Sequence, residues 1–213
     1  AAADVVFYCV ADPATKIWLM SARPDAFDLY VLYDDSKKRY LTYMQMTEAM
    51  LHPLRQGRHV VAVFYGHPGI FVLSTHRAIA IARREGHRAT MRAAVSALDT
   101  LCVDLGVDPS QPGIQMFEAT DMLIRHRRPD PGLHLVLWQV GLIGELGYRR
   151  QGYLNTNFGV LLDYPEEIYG PDHAVINYVG SRYPGIDPLI QPTTIAALRD
   201  PLAQSWVTGI STF

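Results

Sequence analysis

Tyr30, Tyr33, Arg39, Tyr40 and Tyr43 fall close together near the start of the chain, among Asp34, Asp35 and two lysines. Several phenols beside one arginine can do proton chemistry. A cation next to a phenol favours the phenolate, so the spacing predicts a tyrosine shifted below its usual value of about 10. Such a group takes a proton from a poorly reactive partner or donates a hydrogen bond to it. The same residue types also suit a half-buried strand and hinge.

Three further segments carry chemical possibilities. Tyr65-Gly-His-Pro-Gly-Ile-Phe71 follows an apolar run, and loops at the carboxyl ends of parallel strands are where open sheets bind ligands. Its two glycines allow a tight turn and close approach. It is not GxGxxG and has no Lys-Ser/Thr pair, so a neutral or cationic ligand suits it better than a pyrophosphate; an ordinary βα turn has the same composition. Ser96, in Val95-Ser-Ala97, caps a helix, with or without touching a ligand edge. Gln139 ends an apolar strand and either reads a polar ligand edge or is a solvated terminus.

These segments need elements to hold them. Strand signals cover Asp4 to Val10, Phe27 to Tyr33 and His59 to Tyr65, the last a continuous apolar run expected to be covered on both faces. Between them, Pro13 opens a helix through Met20. Thr42 with Gln45 forms a capping-box pattern before a helix that Pro53 kinks or ends. Ser74 caps a helix through Glu85 that Gly86 closes. A short strand near Ala89 to Arg92 precedes a helix capped by Ser96. In the second half Gly113 to Phe117, Leu133 to Val140 and His173 to Val179 read as strands. Ala119 to Arg125, Asn155 to Tyr169 and Thr194 to Arg199 read as helices, with a final strand at the end. Asp108 to Gly113, rich in turn formers, divides lobes spanning 1–107 and 108–213. The class is α/β.

Composition narrows the rest. The 213 residues carry a net charge of −2 with 49% hydrophobic residues, which gives no sign of a nucleic-acid surface. No apolar run is long enough to span a bilayer. Cys9 and Cys102 sit in apolar runs and read as reduced thiols of a cytoplasmic protein, and no metal-ligand spacing is present. Ala1 to Ala3 resembles a helix end feeding a strand, and Ile210 to Phe213 the start of another, so both termini read as cut.

FYGHPGIFV at Phe64 to Val72, the VSA turn, HLVLWQVG at His134 to Gly141 and the closing GISTF resemble the tetrapyrrole methylase fold class. Together with FYCVADPAT at Phe7 to Thr15, LGVDPSQPG at Leu105 to Gly113 and NFGVLLDY at Asn157 to Tyr164, they are similar to the fungal borosin-type peptide backbone α-N-methyltransferases. The resemblance implies two α/β lobes, a mainly parallel first sheet and a mixed second one, with a cofactor cleft between them. It implies a catalytic set of Tyr30, Tyr33, Arg39, Tyr43 and Tyr65. It places S-adenosylmethionine, with S-adenosylhomocysteine as product, on His67, Ile70, Phe71, Ser96, Ala97, Gln139, Tyr178, Gly209, Ile210 and Ser211. A homodimer and a peptide substrate, fused as a C-terminal tail or separate, follow from the same resemblance, with no metal.

A peptide nitrogen is a poor nucleophile because its lone pair is delocalised into the carbonyl. Methylating it requires proton removal, for which Tyr43 or Tyr33 is the expected acceptor, and a donor to the developing imidate oxygen. Two alternatives stay open: carbon methylation of a uroporphyrinogen-like macrocycle, which would call for a more basic cleft, and a degenerate non-catalytic homologue. Of the departures from the family pattern, the absent first strand and Ala93-Ala94 favour the latter. A first strand with a GxG turn is expected before Ala1, clasp helices and a substrate tail after Phe213, and Pro-Gly where Ala93-Ala94 stands.

Overall fold

The computed structural model describes residues 2–183 and 185–213, so Ala1 of the expected helix end lies outside the described residues; Ala2 and Ala3 are irregular. Two compact units form: residues up to Ala97 with Leu146–Tyr148, and Leu98–Glu145 with Arg149–Phe213.

In the first unit β1 (Val5–Cys9) lies between β2 (Phe27–Asp28) and β3 (Val60–Phe64), all parallel. Phe7 stands opposite both Phe27 and Ala62. Four of the five β1 residues are buried. The apolar run at β3 was expected to be the doubly covered strand, but β3 is an edge of this sheet and its Val61 is 38% exposed. The core gathers Phe7, Cys9, Leu29, Met46, Met50 and Ala78. Phe7, Leu29, Met46 and Met50 each contribute on the order of 2 kcal/mol of transfer free energy.

Helix α1 (Pro13–Ala22) starts where expected, because the Asp12 carboxylate accepts from the Thr15 N–H at 2.6 Å and Pro13 fills the first turn. The span from Phe27 to Tyr33 is not extended throughout. The Asp28 carboxylate accepts from the Tyr30 N–H at 2.9 Å, and residues Leu29–Leu32 close into a 3-10 turn. Helix α2 (Arg39–Arg55) begins three residues before Thr42, so Thr42 is no cap; it is fully buried with its hydroxyl 3.4 Å from the Leu32 carbonyl. Pro53 lies inside the last turn. Helix α3 (Leu73–Arg84) starts at Leu73, with Ser74 inside it rather than capping it, and Gly86 follows at φ +83°. Residues 89–92 form no strand.

In the second unit, α4 (Ala97–Leu105) directly follows Ser96, and its Leu98, Leu101 and Leu105 pack with Val136, Trp138 and Tyr178. Strands β4 (Ile114–Glu118) and β5 (His134–Trp138) pair in parallel, with α5 (Ala119–Ile124) between them in sequence. Strands β6 (Ala174–Val179) and β7 (Leu189–Thr194) pair antiparallel. Thr212 bridges Trp138 on one side and Tyr178 on the other, and Phe213 exchanges both backbone hydrogen bonds with Leu137. The end of the chain thus ties the two strand pairs together.

Helix α6 (Phe158–Tyr169) starts later than expected, because Asn155 is left-handed (φ +48°) and its side chain bonds the Val140 carbonyl and the Ile143 N–H. The helix expected from Thr194 is instead the end of β7, followed by a 3-10 turn at Ala197–Arg199 and α7 (Pro201–Ser205). The core of this unit includes Met122, Leu137, Val140, Leu161, Leu162 and Leu198.

Candidate active site

The 3-10 turn explains why two phenols meet. Residues three apart eclipse in a 3-10 helix, whereas on a strand they would point to opposite faces. Tyr30 and Tyr33 accordingly have ring centroids 5.0 Å apart. Asp28 anchors this turn, and its carboxylate also holds Lys16 Nζ at 2.6 Å. Arg39 and Tyr43 stand one helical turn apart at the start of α2, hence on one face. Tyr43 meets Tyr33 edge-on with centroids 6.4 Å apart.

A fourth ring comes from far along the chain. Tyr148 stacks on Tyr33 at 4.7 Å and meets Tyr30 edge-on at 6.2 Å, with the Tyr30 and Tyr148 hydroxyls 3.3 Å apart. Its segment is held by the Arg39 N–H donating to the Leu146 carbonyl at 2.8 Å and by a bridge between Lys38 and Gly147. The structure therefore brings together Tyr30, Tyr33 and Tyr43 as expected, and adds Tyr148.

The electrostatics run opposite to the expectation from charge proximity. Burial first, and then Tyr43, pushes the Tyr33 phenol far above its ordinary value. Burial, followed by the hydrogen bond to Tyr148, does the same to Tyr30. Desolvation outweighs any cation nearby, and both phenols stay neutral across the physiological range. They are hydrogen-bond donors. Tyr65 is 65% exposed and open to solvent, although surrounding protein atoms push its phenol up as well.

The Cys9 thiol beneath this cluster is 3% exposed, and burial followed by Asp28 pushes it up to about 12. The folded chain thus keeps a proton that the unfolded chain releases near pH 9. Its stabilising contribution is full below pH 9 and is lost as pH rises towards 12, by about 1.4 kcal/mol per pH unit. Urea midpoints measured from pH 8 to 11 should fall along that slope, and Cys9→Ala should flatten it. An unchanged slope in the variant would assign the loss to other groups.

The loop after β3 is tightly held. Gly66 is left-handed, and a side chain at Gly69 would meet Met91 Sδ at 2.8 Å and the His67 ring at 3.2 Å. His67 Nδ1 accepts from the Gly69 N–H at 3.0 Å, and the Thr75 hydroxyl donates to the carbonyls of Pro68 and Val72. Ile70 and Phe71 remain exposed, Phe71 in the left-handed region at φ +56°. A bulky residue there carries backbone strain, a feature that gathers at functional sites. Ser96 is buried and Ala97, the first residue of α4, is exposed.

In the second unit Gln139 is also left-handed, at φ +60°, directly after β5. A Cβ at Gly141 would lie 2.1 Å from the Thr208 carbonyl oxygen and 3.0 Å from the Gly209 nitrogen. Ser211 is buried with its hydroxyl accepting from the Thr208 N–H at 3.0 Å, and Ile210 is exposed. These residues share one corner of the unit. Tyr178 does not offer its phenol. Its hydroxyl donates to Asp104 at 2.7 Å and lies 3.0 Å from the Thr100 hydroxyl, and burial raises it to about 12. Among the described residues no group of His, Cys, Asp and Glu could hold a metal ion.

The sequence profile of the tetrapyrrole (corrin/porphyrin) methylases matches residues 1–139. The chain is 53% identical over 211 residues to a methyltransferase/ribosomally synthesized type III borosin cyclic peptide precursor of Anomoporia bombycina, covering 99% of this chain and 24% of that protein. It is 48% identical over 212 residues to the methyltransferase/omphalotin A precursor of Omphalotus olearius, covering 100% of this chain and 51% of that protein. The chain thus spans about half or less of the curated relatives it matches. Among solved structures it resembles cobalt precorrin-4 methyltransferase CbiF at TM-score 0.61 and 16% identity, over 99% of this chain and 82% of that one. It also resembles the methyltransferase CobJ at TM-score 0.57 and 14% identity, over 98% and 92%. These likenesses show the two-unit α/β fold.

Proposed function

Because the chain belongs to the tetrapyrrole (corrin/porphyrin) methylase family, we propose that it uses S-adenosylmethionine to methylate backbone amides of a peptide. The observation that carries this reading is the cluster of Tyr30, Tyr33, Tyr43 and Tyr148, with neutral phenols at Tyr30 and Tyr33. A carboxylate-rich macrocycle would be met by cations. An amide oxygen that gains charge as its nitrogen is deprotonated is met by phenol donors. The relatives' names join a methyltransferase to a peptide precursor, which supports a fused C-terminal peptide as the substrate.

The residues present suit a cofactor that is cationic at sulfur and flat at adenine. In the first unit His67, Ile70, Phe71, Ser96 and Ala97 are the proposed contacts, with two exposed apolar side chains and no phosphate-binding lysine. In the second unit they are Gln139, Gly209, Ile210 and Ser211. Tyr178 contributes by pairing its backbone with Thr212, its phenol being engaged with Asp104. When bound, S-adenosylmethionine supplies the methyl group from its sulfonium.

The chain's own part is to bind, orient and manage one proton. Tyr33 donates to the amide oxygen, and Arg39 and Tyr43 hold the amide from the face of α2. The half-buried, neutral phenol of Tyr33 is a poor base, so the acceptor of the N–H proton is assigned to Tyr43, the other of the two expected. Tyr65 lines the approach. A homodimer is part of the proposal and is supported by the exposed Ile17, Trp18 and Met20 on α1. No described helix is long and apolar enough to cross a membrane; a cytoplasmic setting is proposed on the two free thiols.

Intact-mass spectrometry of the longest natural form of the protein tests the function. Increments of one methyl group, mapped to backbone nitrogens, are expected. Bound S-adenosylmethionine without any increment on protein or peptide would overturn the peptide reading. A second measurement addresses the cofactor. Gln139→Gly should relieve about 1 kcal/mol of left-handed backbone strain while weakening S-adenosylmethionine binding about tenfold, read by calorimetry. Unchanged affinity would remove Gln139 from the site.

A further inference from the structure

Tyr148 lies 118 residues from Tyr30 in sequence, yet its hydroxyl meets that of Tyr30 and its ring contacts both half-buried tyrosines. Leu146–Tyr148 belongs to the first unit although its flanking residues count with the second. Two of these residues, Leu146 and Gly147, engage Arg39 and Lys38 at the start of α2 through backbone groups. The segment therefore fastens at one point the 3-10 turn bearing Tyr30 and Tyr33 and the helix bearing Arg39 and Tyr43.

We propose that Tyr148 is a positioning residue for methyl transfer, using its hydroxyl to orient Tyr30 and its ring to hold Tyr33 against the substrate amide. This rests on the function proposed above. A phenol has one hydrogen and two lone pairs. If Tyr30 donates to Tyr148, the Tyr148 hydrogen remains for a further acceptor, and a chain of two phenols polarises along its length. The direction of the Tyr30 shift fits that donor order, since a hydrogen bond given by a phenol favours its neutral form. Ring contact and hydroxyl contact are separable by substitution, which makes the role testable.

The experiment compares Tyr148→Phe, Tyr148→Ala, Tyr30→Phe and the double variant Tyr30→Phe/Tyr148→Phe in the longest natural form of the protein. The probe is S-adenosylmethionine, and the first methyl addition is timed by intact mass. Tyr148→Phe keeps the ring and should lower kcat about tenfold, with KM for S-adenosylmethionine within about twofold and an unchanged melting temperature. Tyr148→Ala should lower kcat about a hundredfold. The double phenylalanine variant should be no slower than Tyr30→Phe, because the two hydroxyls act as one unit. Wild-type kcat in Tyr148→Phe would overturn the hydroxyl role while leaving the proposed function standing. Fully additive losses in the double variant would overturn the coupling to Tyr30. If the unaltered protein transfers no methyl group although the cofactor binds, the proposed function fails and the Tyr148 role fails with it.

Discussion

Tyr33→Phe is expected to slow methyl transfer about a hundredfold while S-adenosylmethionine still binds. The ring survives the change, so the contacts with Tyr30 at 5.0 Å and Tyr148 at 4.7 Å are kept. Only the hydroxyl is lost. Burial holds that phenol far above its ordinary value, so near neutral pH it carries its proton and can donate it into a hydrogen bond. The sign of the pH dependence follows. The wild-type to Tyr33→Phe rate ratio should be flat from pH 7 to pH 9, because Tyr33 does not titrate there. Timed mass measurements at several pH values check this. A ratio that climbs with pH would mean that Tyr33 acts as a phenolate, and the donor assignment would be wrong.

Gly141→Ala should be the most damaging small change to the fold. The added methyl carbon would sit 2.1 Å from the Thr208 carbonyl oxygen and 2.4 Å from its carbon, both backbone atoms. A flexible side chain could swing aside, but these atoms cannot. The turn after β5 must separate from residues 208 and 209, at a cost of about 3 kcal/mol. For a chain of this size that is a fall of roughly 6 to 12 °C in melting temperature. Gly159→Ala is the control, since nothing lies within 4 Å of the added carbon and the residue is inside α6. It should gain about 0.5–1 kcal/mol. Calorimetry showing equal melting temperatures for the two variants would refute the packing argument.

Much of the fold was legible in the chain. The apolar runs gave β1, β3, β4, β5 and β6, and Pro13 gave the start of α1. Where the reading failed, a local hydrogen bond or a long-range partner outcompeted pattern. Asp28 turns Leu29–Leu32 into a 3-10 turn despite their strand-like composition. Strand β7 was not anticipated; it contains Pro192, and proline is tolerated on an edge strand. The phenol cluster divides along the same line. Tyr30, Tyr33 and Tyr43 were found because they are near one another in sequence. Tyr148 was missed because nothing in its neighbourhood marks it. The direction of the phenol shifts was misjudged because closeness in sequence shows charge and not burial, and burial decides.

The Leu146–Tyr148 segment also sets a clock on synthesis. Domains fold from the N-terminus while the ribosome is still adding residues, at roughly 5–20 per second. The residues up to Ala97 emerge with β1, β2, β3, Arg39 and three of the four phenols already made. Tyr148 follows about fifty residues later, a delay of roughly 3 to 10 seconds at those speeds. For that interval the nascent chain holds the first sheet with an unfastened tyrosine cluster, which closes only after residues 98–145, less than half of the second unit, have been translated.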